Sequence, residues 1–131
     1  PNPNVCNKIH KKLDNIDNVI LTPPMDYPEL VCIMKNAKLI ITDSGGIQEE
    51  APTFGVPVLI TRYETERKEG VKKGFAKLVG ADKDIIIKES INILEKQRYK
   101  KVFNKKSNPY GDGQTSKKIT RILNEYWEKK Y

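Results

Sequence analysis

The sequence predicts an α/β protein in which short parallel strands form a sheet flanked by helices. Short runs rich in isoleucine, leucine and valine alternate along the chain with segments of helical periodicity, which is the pattern of a parallel, doubly wound sheet. The runs lack polar–apolar alternation, as expected of strands that are buried on both faces. A glycine turn also joins one run to a helix, as in Rossmann-like folds.

Length and composition describe one globular domain. The 131 residues are 37% hydrophobic and 31% charged, and no apolar run reaches the roughly 20 residues that cross a bilayer. Because the N-terminal sequence PNPN does not resemble a signal peptide, we expect a cytoplasmic protein with no membrane partner. Cys6 and Cys32 lack metal-ligand spacing and are too few for a disulfide framework, so we expect reduced thiols. Pro1 in place of Met suggests a processed or partial chain.

The chain is basic, with a net charge of +7 and a pI near 9.3. Nucleic acid is a natural partner for such a charge. The lysines, however, come in scattered pairs, mostly in segments whose periodicity turns them towards solvent, and no basic stripe interleaved with aromatic residues occurs. The sequence therefore predicts solvated lysines and no nucleic-acid partner.

The front of the chain is predicted to contain a helix, a strand and a second helix. A spacing of four between apolar residues favours a helix over residues 5–13, and residues 19–21 have the composition of a short strand. The proline-rich loop 22–28, which contains Met25, follows at the C-terminal end of that strand, where open α/β sheets bind their ligands. The second helix is expected over residues 28–37.

The chain is organised around residues 39–61, which predict a strand, a glycine turn, a helix and a second strand. The aliphatic run 39–41 precedes the turn 43–46, residues 47–54 can wind as a helix, and residues 56–61 form the next buried strand. The first N–H groups of such a helix have no partner and the helix dipole is positive there. An anion can therefore dock at this end.

Ser44, Gly45 and Gly46 are the candidate anion-binding residues. The glycines carry no Cβ, so a phosphate oxygen could approach the backbone closely, and Ser44 adds a hydroxyl donor. Glu50 lies one helical turn beyond Gly46, where a carboxylate suits ribose hydroxyls better than a second phosphate. A nucleoside diphosphate fits both ends. The alternative is structural: the glycines only let the helix pack tightly, Ser44 is an ordinary N-cap, and Glu49 and Glu50 complement the helix dipole.

Two arginines follow the second strand of this unit. Arg62 and Arg67 lie in a highly charged stretch, and a planar guanidinium group matches phosphate oxygens. Both arginines could therefore reach the same diphosphate. The alternative is a surface ion-pair network with the neighbouring acids Glu64, Glu66 and Glu69.

The remaining chain is predicted to add a strand, three helices and a second glycine-rich loop. Residues 76–79 form the strand, Asp82 caps a helix that reaches Leu94, and residues 99–103 mark a shorter helix. The sequence NPYGDG at residues 108–113 is a turn cluster. We expect the apolar stripe of the last helix to need cover and to invite self-association. It consists of Ile119, Ile122, Leu123, Tyr126 and Trp127.

Four motifs together carry a family resemblance. PNPNV opens the chain, TDSGGIQEEAPTFGVPVLITRYETERKEGV follows, and AKLVGADKD and NPYGDGQTSKKI come after it. On these motifs the chain closely resembles the non-hydrolysing UDP-N-acetylglucosamine (UDP-GlcNAc) 2-epimerases, and it corresponds to about the last third of a complete member. The family resembles the GT-B glycosyltransferases, in which two Rossmann-like domains face each other across a cleft. Residues 1–131 would then be the C-terminal UDP-binding domain, truncated at its N-terminal edge and without the N-terminal catalytic domain.

The resemblance implies a role for each binding candidate. Ser44 and the amides of Gly45 and Gly46 would bind the diphosphate, and Glu50 would bind the ribose hydroxyls. The loop around Met25 would meet the uracil. These roles agree with the nucleoside diphosphate that the residue pattern predicts.

Arg67, in the TER motif, is the catalytic candidate, because the resemblance implies that it contacts the diphosphate as it leaves. The family is thought to remove the proton at C2 of the sugar, expel UDP with formation of 2-acetamidoglucal, and add UDP back after reprotonation on the other face. It needs no metal and no nicotinamide cofactor, and we expect a homodimer for the full-length protein. Because the acid/base carboxylates lie in the N-terminal domain, the isolated chain should bind nucleotide at best.

Two rival functions stay open on the sequence. The chain could be the UDP-sugar-binding half of a GT-B glycosyltransferase, or a non-catalytic nucleotide-binding or interaction module. The strings DSGGIQEE and NPYGDG favour the epimerase. One departure concerns the base, since family members often have an aromatic residue near the position of Leu30 and stacking should be weaker here.

Overall fold

The computed structural model describes residues 3–96 and 108–130 of the chain. The helix expected over residues 99–103 lies outside these ranges. In chain order, the described residues form α1 (Pro3–Leu13), α2 (Tyr27–Asn36), β1 (Ile40–Thr42), α3 (Gly45–Phe54), β2 (Val58–Ile60), α4 (Lys68–Lys72), β3 (Ala76–Leu78), α5 (Lys83–Lys96) and α6 (Thr115–Lys130).

The three strands form a parallel sheet with β2 in the middle. In the register of the sheet, Ile40 aligns with Val58, and Val58 aligns with Ala76. All three residues of β2 are buried, because a central parallel strand is covered on both faces. The predicted fold class, a parallel sheet flanked by helices, is confirmed.

Side chains that alternate along β2 pack into two separate apolar clusters. Val58 and Ile60 pack with Ala51 of α3 and Val71 of α4 on one face of the sheet. Leu59 packs with Val79 and with Ile93 and Ile86 of α5 on the other face, in a cluster that Leu39 also joins. Successive side chains of a strand point to opposite faces, so one three-residue strand anchors helices on both sides of the sheet.

Residues 19–21 do not form the strand that their composition predicts. Their backbone is irregular, and the Val19 N–H donates to the Ile16 carbonyl in a turn. A strand exists only where a neighbouring strand satisfies its N–H and C=O groups, and three β-branched or aliphatic residues do not impose that pairing. The described residues therefore contain three strands where about four were expected.

Helix α3 begins at Gly45, two residues before its predicted start, so both glycines are helical. Its end is confirmed, since Gly55 closes the helix in the left-handed conformation with φ 71°. The predicted cap of α5 is also confirmed, because Asp82 Oδ1 accepts the N–H groups of Asp84 at 2.9 Å and Ile85 at 3.0 Å.

The chain divides into two compact units, Pro1–Ile33 and Met34–Tyr131. In the first unit, Asp26 and Glu29 form a capping box at the start of α2, since each side chain accepts the backbone N–H of the other. The second unit contains the sheet and α3 to α6. None of the described helices is long and apolar enough to cross a bilayer.

Candidate functional site

The N-terminus of α3 has backbone N–H groups without an acceptor inside the helix. The first hydrogen bond of the helix runs from the Gln48 N–H to the Ser44 carbonyl at 3.2 Å. The N–H groups of Gly45, Gly46 and Ile47 precede this bond and have no acceptor within the helix. Ser44 occupies the N-cap position, but its side chain makes no capping hydrogen bond. The serine is therefore not the side-chain cap that the structural alternative requires.

The C-terminal ends of two neighbouring strands deliver the groups around this helix start. Thr42 ends β1, and its Oγ1 accepts the Ser44 N–H at 3.0 Å, which fixes the turn into α3. In the sheet register Thr42 aligns with Ile60, the last residue of β2. The chain that leaves β2 carries Arg67, so both segments emerge at the same edge of the sheet, as ligand-binding loops do in open α/β sheets.

The guanidinium group of Arg67 lies against the backbone of Gly45. A Cβ built on Gly45 would stand 3.0 Å from Cζ of Arg67 and 3.2 Å from its Nε and Nη2. A Cβ built on Gly46 would lie 3.9 Å from both Ser44 Oγ and Glu50 Oε1. The structure thus brings Ser44, Glu50 and Arg67 together around two glycines, and Glu50 lies on the face of α3 that its spacing predicts.

Two carboxylates hold the Arg67 side chain in this position. Nε of Arg67 donates to Glu49 Oε1 at 2.8 Å, and Nη1 donates to Glu66 Oε2 at 3.2 Å. The hydrogen bond to Glu49 raises the pKa of Arg67. The pKa of the Glu66 carboxyl is lowered, first by a hydrogen bond with its own backbone and then by the one with Arg67. A cation at the positive end of a helix dipole is unfavourable by itself, and the negative charges of Glu49 and Glu66 offset this effect.

A buried hydrogen bond fixes the chain just before Arg67. Thr65 Oγ1 donates to Gln48 Oε1 at 2.7 Å and accepts the Arg67 N–H at 3.1 Å. Gln48 is 1% exposed and Thr65 is 7% exposed, so this pair links α3 to the Arg67 main chain in a dry environment.

Tyr110, from the second glycine-rich loop, fixes the chain just after that point. Its hydroxyl donates to the Arg67 carbonyl at 3.2 Å and accepts the Gly70 N–H at 3.0 Å. A Cβ on Gly70 would lie 2.6 Å from that hydroxyl oxygen, so any other residue at this position would displace the hydroxyl. Burial, as the main cause, raises the pKa of Tyr110. The loop is docked further by Asn108, whose Nδ2 donates to Thr53 Oγ1 of α3 at 3.0 Å.

Two further residues, Arg62 and Met25, were also predicted to take part in the site. Arg62 is exposed. The three atoms nearest to the Gly45 Cβ position all belong to Arg67, so Arg67 is the arginine that lies against Gly45. Met25 lies in the first compact unit, so its contact with a base stays a prediction. Within the described residues, no cluster of three or more His, Cys, Asp or Glu side chains is arranged to bind a metal.

Sequence reasoning missed three residues of this arrangement, namely Gln48, Thr65 and Tyr110. A signal for Gln48 was available, because a polar residue occurs within the buried stripe that contains Ala51 and Pro52 of α3. Tyr110 belongs to the NPYGDG loop, which the sequence singled out without a role. Thr65 had no comparable signal, since its partners lie on other segments of the chain.

Comparison with known proteins places the chain in a defined group. Residues 1–124 match the family model described as UDP-N-acetylglucosamine 2-epimerase. The UDP-N-acetylglucosamine 2-epimerase of Campylobacter jejuni is 48% identical over 122 residues, which are 93% of this chain and 32% of that protein. The enzyme of the same name from Salmonella typhimurium is 42% identical over 125 residues, 95% of this chain and 33% of that protein.

A solved structure agrees with these matches. The crystal structure of UDP-GlcNAc 2-epimerase from Neisseria meningitidis bound to UDP-GlcNAc is similar with a TM-score of 0.81 and 43% sequence identity, over 95% of this chain and 34% of that one. This chain therefore spans about a third of the length of the relatives that it matches.

Proposed function

Because this chain belongs to the UDP-N-acetylglucosamine 2-epimerase family, we propose that it forms the UDP-binding part of an enzyme that interconverts UDP-GlcNAc and UDP-N-acetylmannosamine. The full reaction would proceed by removal of the C2 proton, elimination of UDP and re-addition. The chain itself would bind UDP and stabilise its departure. Proton transfer at C2 would come from parts of the enzyme outside residues 1–131.

The observation that carries this proposal is the position of Arg67 over Gly45. Three groups converge at Gly45, which has no Cβ. They are the positive end of α3, the N–H groups of its first turn, which have no acceptor within the helix, and the Arg67 guanidinium group. The full positive charge of Arg67 and the partial positive charge of the helix start therefore lie together, where a diphosphate dianion or trianion would fit. Glu49 and Glu66 offset part of this charge in the free chain, and a diphosphate would offset it more completely. We therefore assign the diphosphate to Ser44, Gly45, Gly46 and Arg67.

Glu50 gives the site its second half. Its carboxylate lies 3.9 Å from the Cβ position of Gly46, one turn further along the same face of α3. A hydroxyl-bearing group attached to the phosphate would meet an acceptor there, so we assign Glu50 to the ribose. The loop around Met25 is our candidate for the uracil.

Arg67 would also be the group through which the chain contributes to catalysis. As the bond between the sugar and the diphosphate breaks, negative charge accumulates on the departing UDP. A fixed guanidinium and the amides of a helix start stabilise that charge without reorganising. Arg67 would therefore stabilise the transition state of the elimination more than it stabilises the bound substrate.

Binding by this chain can be tested directly. We expect ¹H–¹⁵N NMR titration with UDP to shift the amides of Gly45 and Gly46 first, with weak affinity, because the chain spans about a third of the length of its relatives. The double variant Ser44→Ala with Glu50→Ala should lose this binding. The same two substitutions on α6, Ser116→Ala with Glu125→Ala, serve as the matched control. Undiminished binding by the first double variant would overturn the site assignment.

The reaction is tested on the full-length protein. Incubation with UDP-GlcNAc alone, followed by NMR at C2 of the sugar, should yield UDP-N-acetylmannosamine. Conversion that requires a sugar acceptor would instead indicate a glycosyltransferase, and no conversion under either condition would favour a module that binds without catalysis. We also propose that the full-length protein is a homodimer and, since Cys6 and Cys32 are exposed cysteines that form no disulfide, that it works in the cytoplasm.

A further inference from the structure

Arg67 is restrained at its main chain and at its side chain by residues from three separate parts of the fold. Thr65 accepts its N–H, Tyr110 donates to its carbonyl, and Glu49 and Glu66 accept from its guanidinium. We infer that Arg67 is a pre-positioned phosphate ligand and that Tyr110 and Glu49 are its positioning residues. This inference rests on the proposed function, in which Arg67 binds the diphosphate.

Tyr110 acts on the main chain. Arg67 is the N-cap residue of α4, and this helix has only five residues, too few to be stable by itself. The Tyr110 hydroxyl bridges the carbonyl of Arg67, the N-cap residue, and the N–H of Gly70, the third residue of α4. The contact is close enough that a side chain at Gly70 would displace the Tyr110 hydroxyl. The loop 108–113 therefore sets where the base of the arginine side chain lies.

Glu49 acts on the guanidinium group. Glu49 and Gly45 are both on α3, so the acceptor for Arg67 Nε and the glycine backbone belong to one rigid element. With Nε on Glu49 and Nη1 on Glu66, the remaining nitrogen, Nη2, lies 3.2 Å from the Cβ position of Gly45. The guanidinium group of Arg67 thus directs its Nη2 towards the start of α3. An arginine fixed in advance loses less rotamer freedom when a phosphate binds.

The carboxylate of Glu49 has an opposing effect, because its charge repels a phosphate. Substitution by glutamine separates the two effects, since glutamine keeps an acceptor for Nε and removes the charge. If Glu49 positions Arg67, Glu49→Gln should bind pyrophosphate at least as well as the wild type, and Glu49→Ala should bind it about five-fold more weakly than Glu49→Gln. If Glu49 only competes with the phosphate, alanine should bind as well as glutamine or better.

Tyr110→Phe tests the main-chain restraint. It keeps the ring and removes both hydrogen bonds, so UDP and pyrophosphate should each bind about five-fold more weakly. Tyr126→Phe and Glu89→Ala are the matched controls; the first removes the hydroxyl of an exposed tyrosine on α6, and the second breaks the ion pair with Lys77 on another part of the surface. Both controls should bind like the wild type. Circular dichroism verifies that every variant is folded.

The restraint is also visible without a ligand. In the free chain, the Arg67 Nε–H should give a relaxation signature of an ordered side chain, and Glu49→Ala should abolish that order while Glu49→Gln retains it. A merely structural role for Glu49 would leave the Arg67 Nε–H unchanged.

Two results would count against these ideas in distinguishable ways. A wild-type chain that shows no amide shift with either UDP or pyrophosphate would overturn the proposed function and this inference together. Binding that is lost in Arg67→Ala but unchanged in Tyr110→Phe and Glu49→Ala would leave the proposed function standing and overturn the inference.

Discussion

The Arg67 guanidinium occupies the space that a side chain at Gly45 would need, with Cζ 3.0 Å from the Cβ position. This contact gives the two glycines of the helix start different roles. At Gly45 the missing Cβ makes room for the arginine within the protein itself. At Gly46 the nearest atoms are 3.9 Å from the Cβ position, so that position is open to a ligand. The two glycines are therefore not interchangeable.

Alanine at each glycine tests this difference. Gly46→Ala should raise the free energy of unfolding by about 0.5 kcal/mol, because alanine restricts the unfolded chain and fits the helix. Gly45→Ala should bring no such gain, since Arg67 must shift. Both variants should weaken UDP binding, but only Gly45→Ala should change the Arg67 Nε–H signal of the free chain. Urea denaturation and NMR measure the two effects, and equal Arg67 signals in both variants would contradict the assignment.

The contact between Gly70 and Tyr110 predicts a rescue. Gly70→Ala should lower the free energy of unfolding by about 1–3 kcal/mol, because its Cβ would stand 2.6 Å from the Tyr110 oxygen. Removing that oxygen leaves the ring carbon Cζ as the nearest atom, at 3.4 Å, which is close to an ordinary contact. The double variant Gly70→Ala with Tyr110→Phe should therefore be no less stable than Gly70→Ala alone. A double-mutant cycle with additive losses would contradict this view of the clash.

Thr65 and Gln48 should behave as one unit. Thr65→Val keeps the shape and removes the hydroxyl, which leaves the buried Gln48 Oε1 and the Arg67 N–H without their partner, at a cost of about 1–3 kcal/mol. Thr65→Ser keeps the hydroxyl and should cost less. Adding Gln48→Leu to Thr65→Val should restore part of the stability, because it also removes the orphaned amide oxygen. Denaturant unfolding of the single and double variants measures the coupling, and strict additivity would show that the hydrogen bond is unimportant.

The stripe on α6 predicts self-association. Its five apolar residues are between 52% and 63% exposed: Ile119, Ile122, Leu123, Tyr126 and Trp127. Exposed apolar surface of this kind favours contact between chains. Sedimentation velocity should show association of the isolated chain at high concentration, reduced by Leu123→Lys and unchanged by Asn124→Lys on the adjacent polar face. A chain that stays monomeric at every concentration would remove this prediction.

The part of the fold that local patterns could predict is the part that local interactions determine. The aliphatic run and glycine turn around residues 39–61 identified β1, α3 and β2, and the Asp82 cap followed from the chemistry of helix starts. The spacing of Gly46 and Glu50 is fixed by the helix itself, so their shared face was predictable. The prediction of a strand at residues 19–21 was wrong because a strand needs a neighbouring strand, which a short apolar run does not specify.

The contacts that organise the site depend on residues far apart in the sequence. Arg67 lies in a stretch with several acids, and the alternative of an ion-pair network with these neighbours is confirmed for Glu66. The shorter ion pair of Arg67 is with Glu49 on α3, which the sequence did not suggest. Tyr110 reaches Arg67 across 43 positions. Charge patterns show that partners exist, but only the fold selects among them, because salt bridges at the surface are weak and poorly specified by sequence.

Alkaline pH should act on the site through Tyr110. Burial, followed in strength among the raising causes by the charges of Glu69 and Glu49, holds the pKa of Tyr110 above its ordinary value of 10.0. A group whose pKa is higher in the folded state contributes stability that is fully present below the unfolded value and is lost as pH rises through the folded value. The tyrosinate would also have no proton to donate to the Arg67 carbonyl. We therefore expect stability to fall above about pH 10.

Lysines also titrate in this range, so the measurement needs a comparison that cancels them. Tyr110→Phe has the same lysines and no ionisable group at position 110. The difference in unfolding free energy between the wild type and Tyr110→Phe should be constant from about pH 7 to pH 9 and should shrink above about pH 10. If the Tyr110→Phe difference stays constant to pH 11, the tyrosine is not held in these partly buried hydrogen bonds, and its role in positioning Arg67 fails with it.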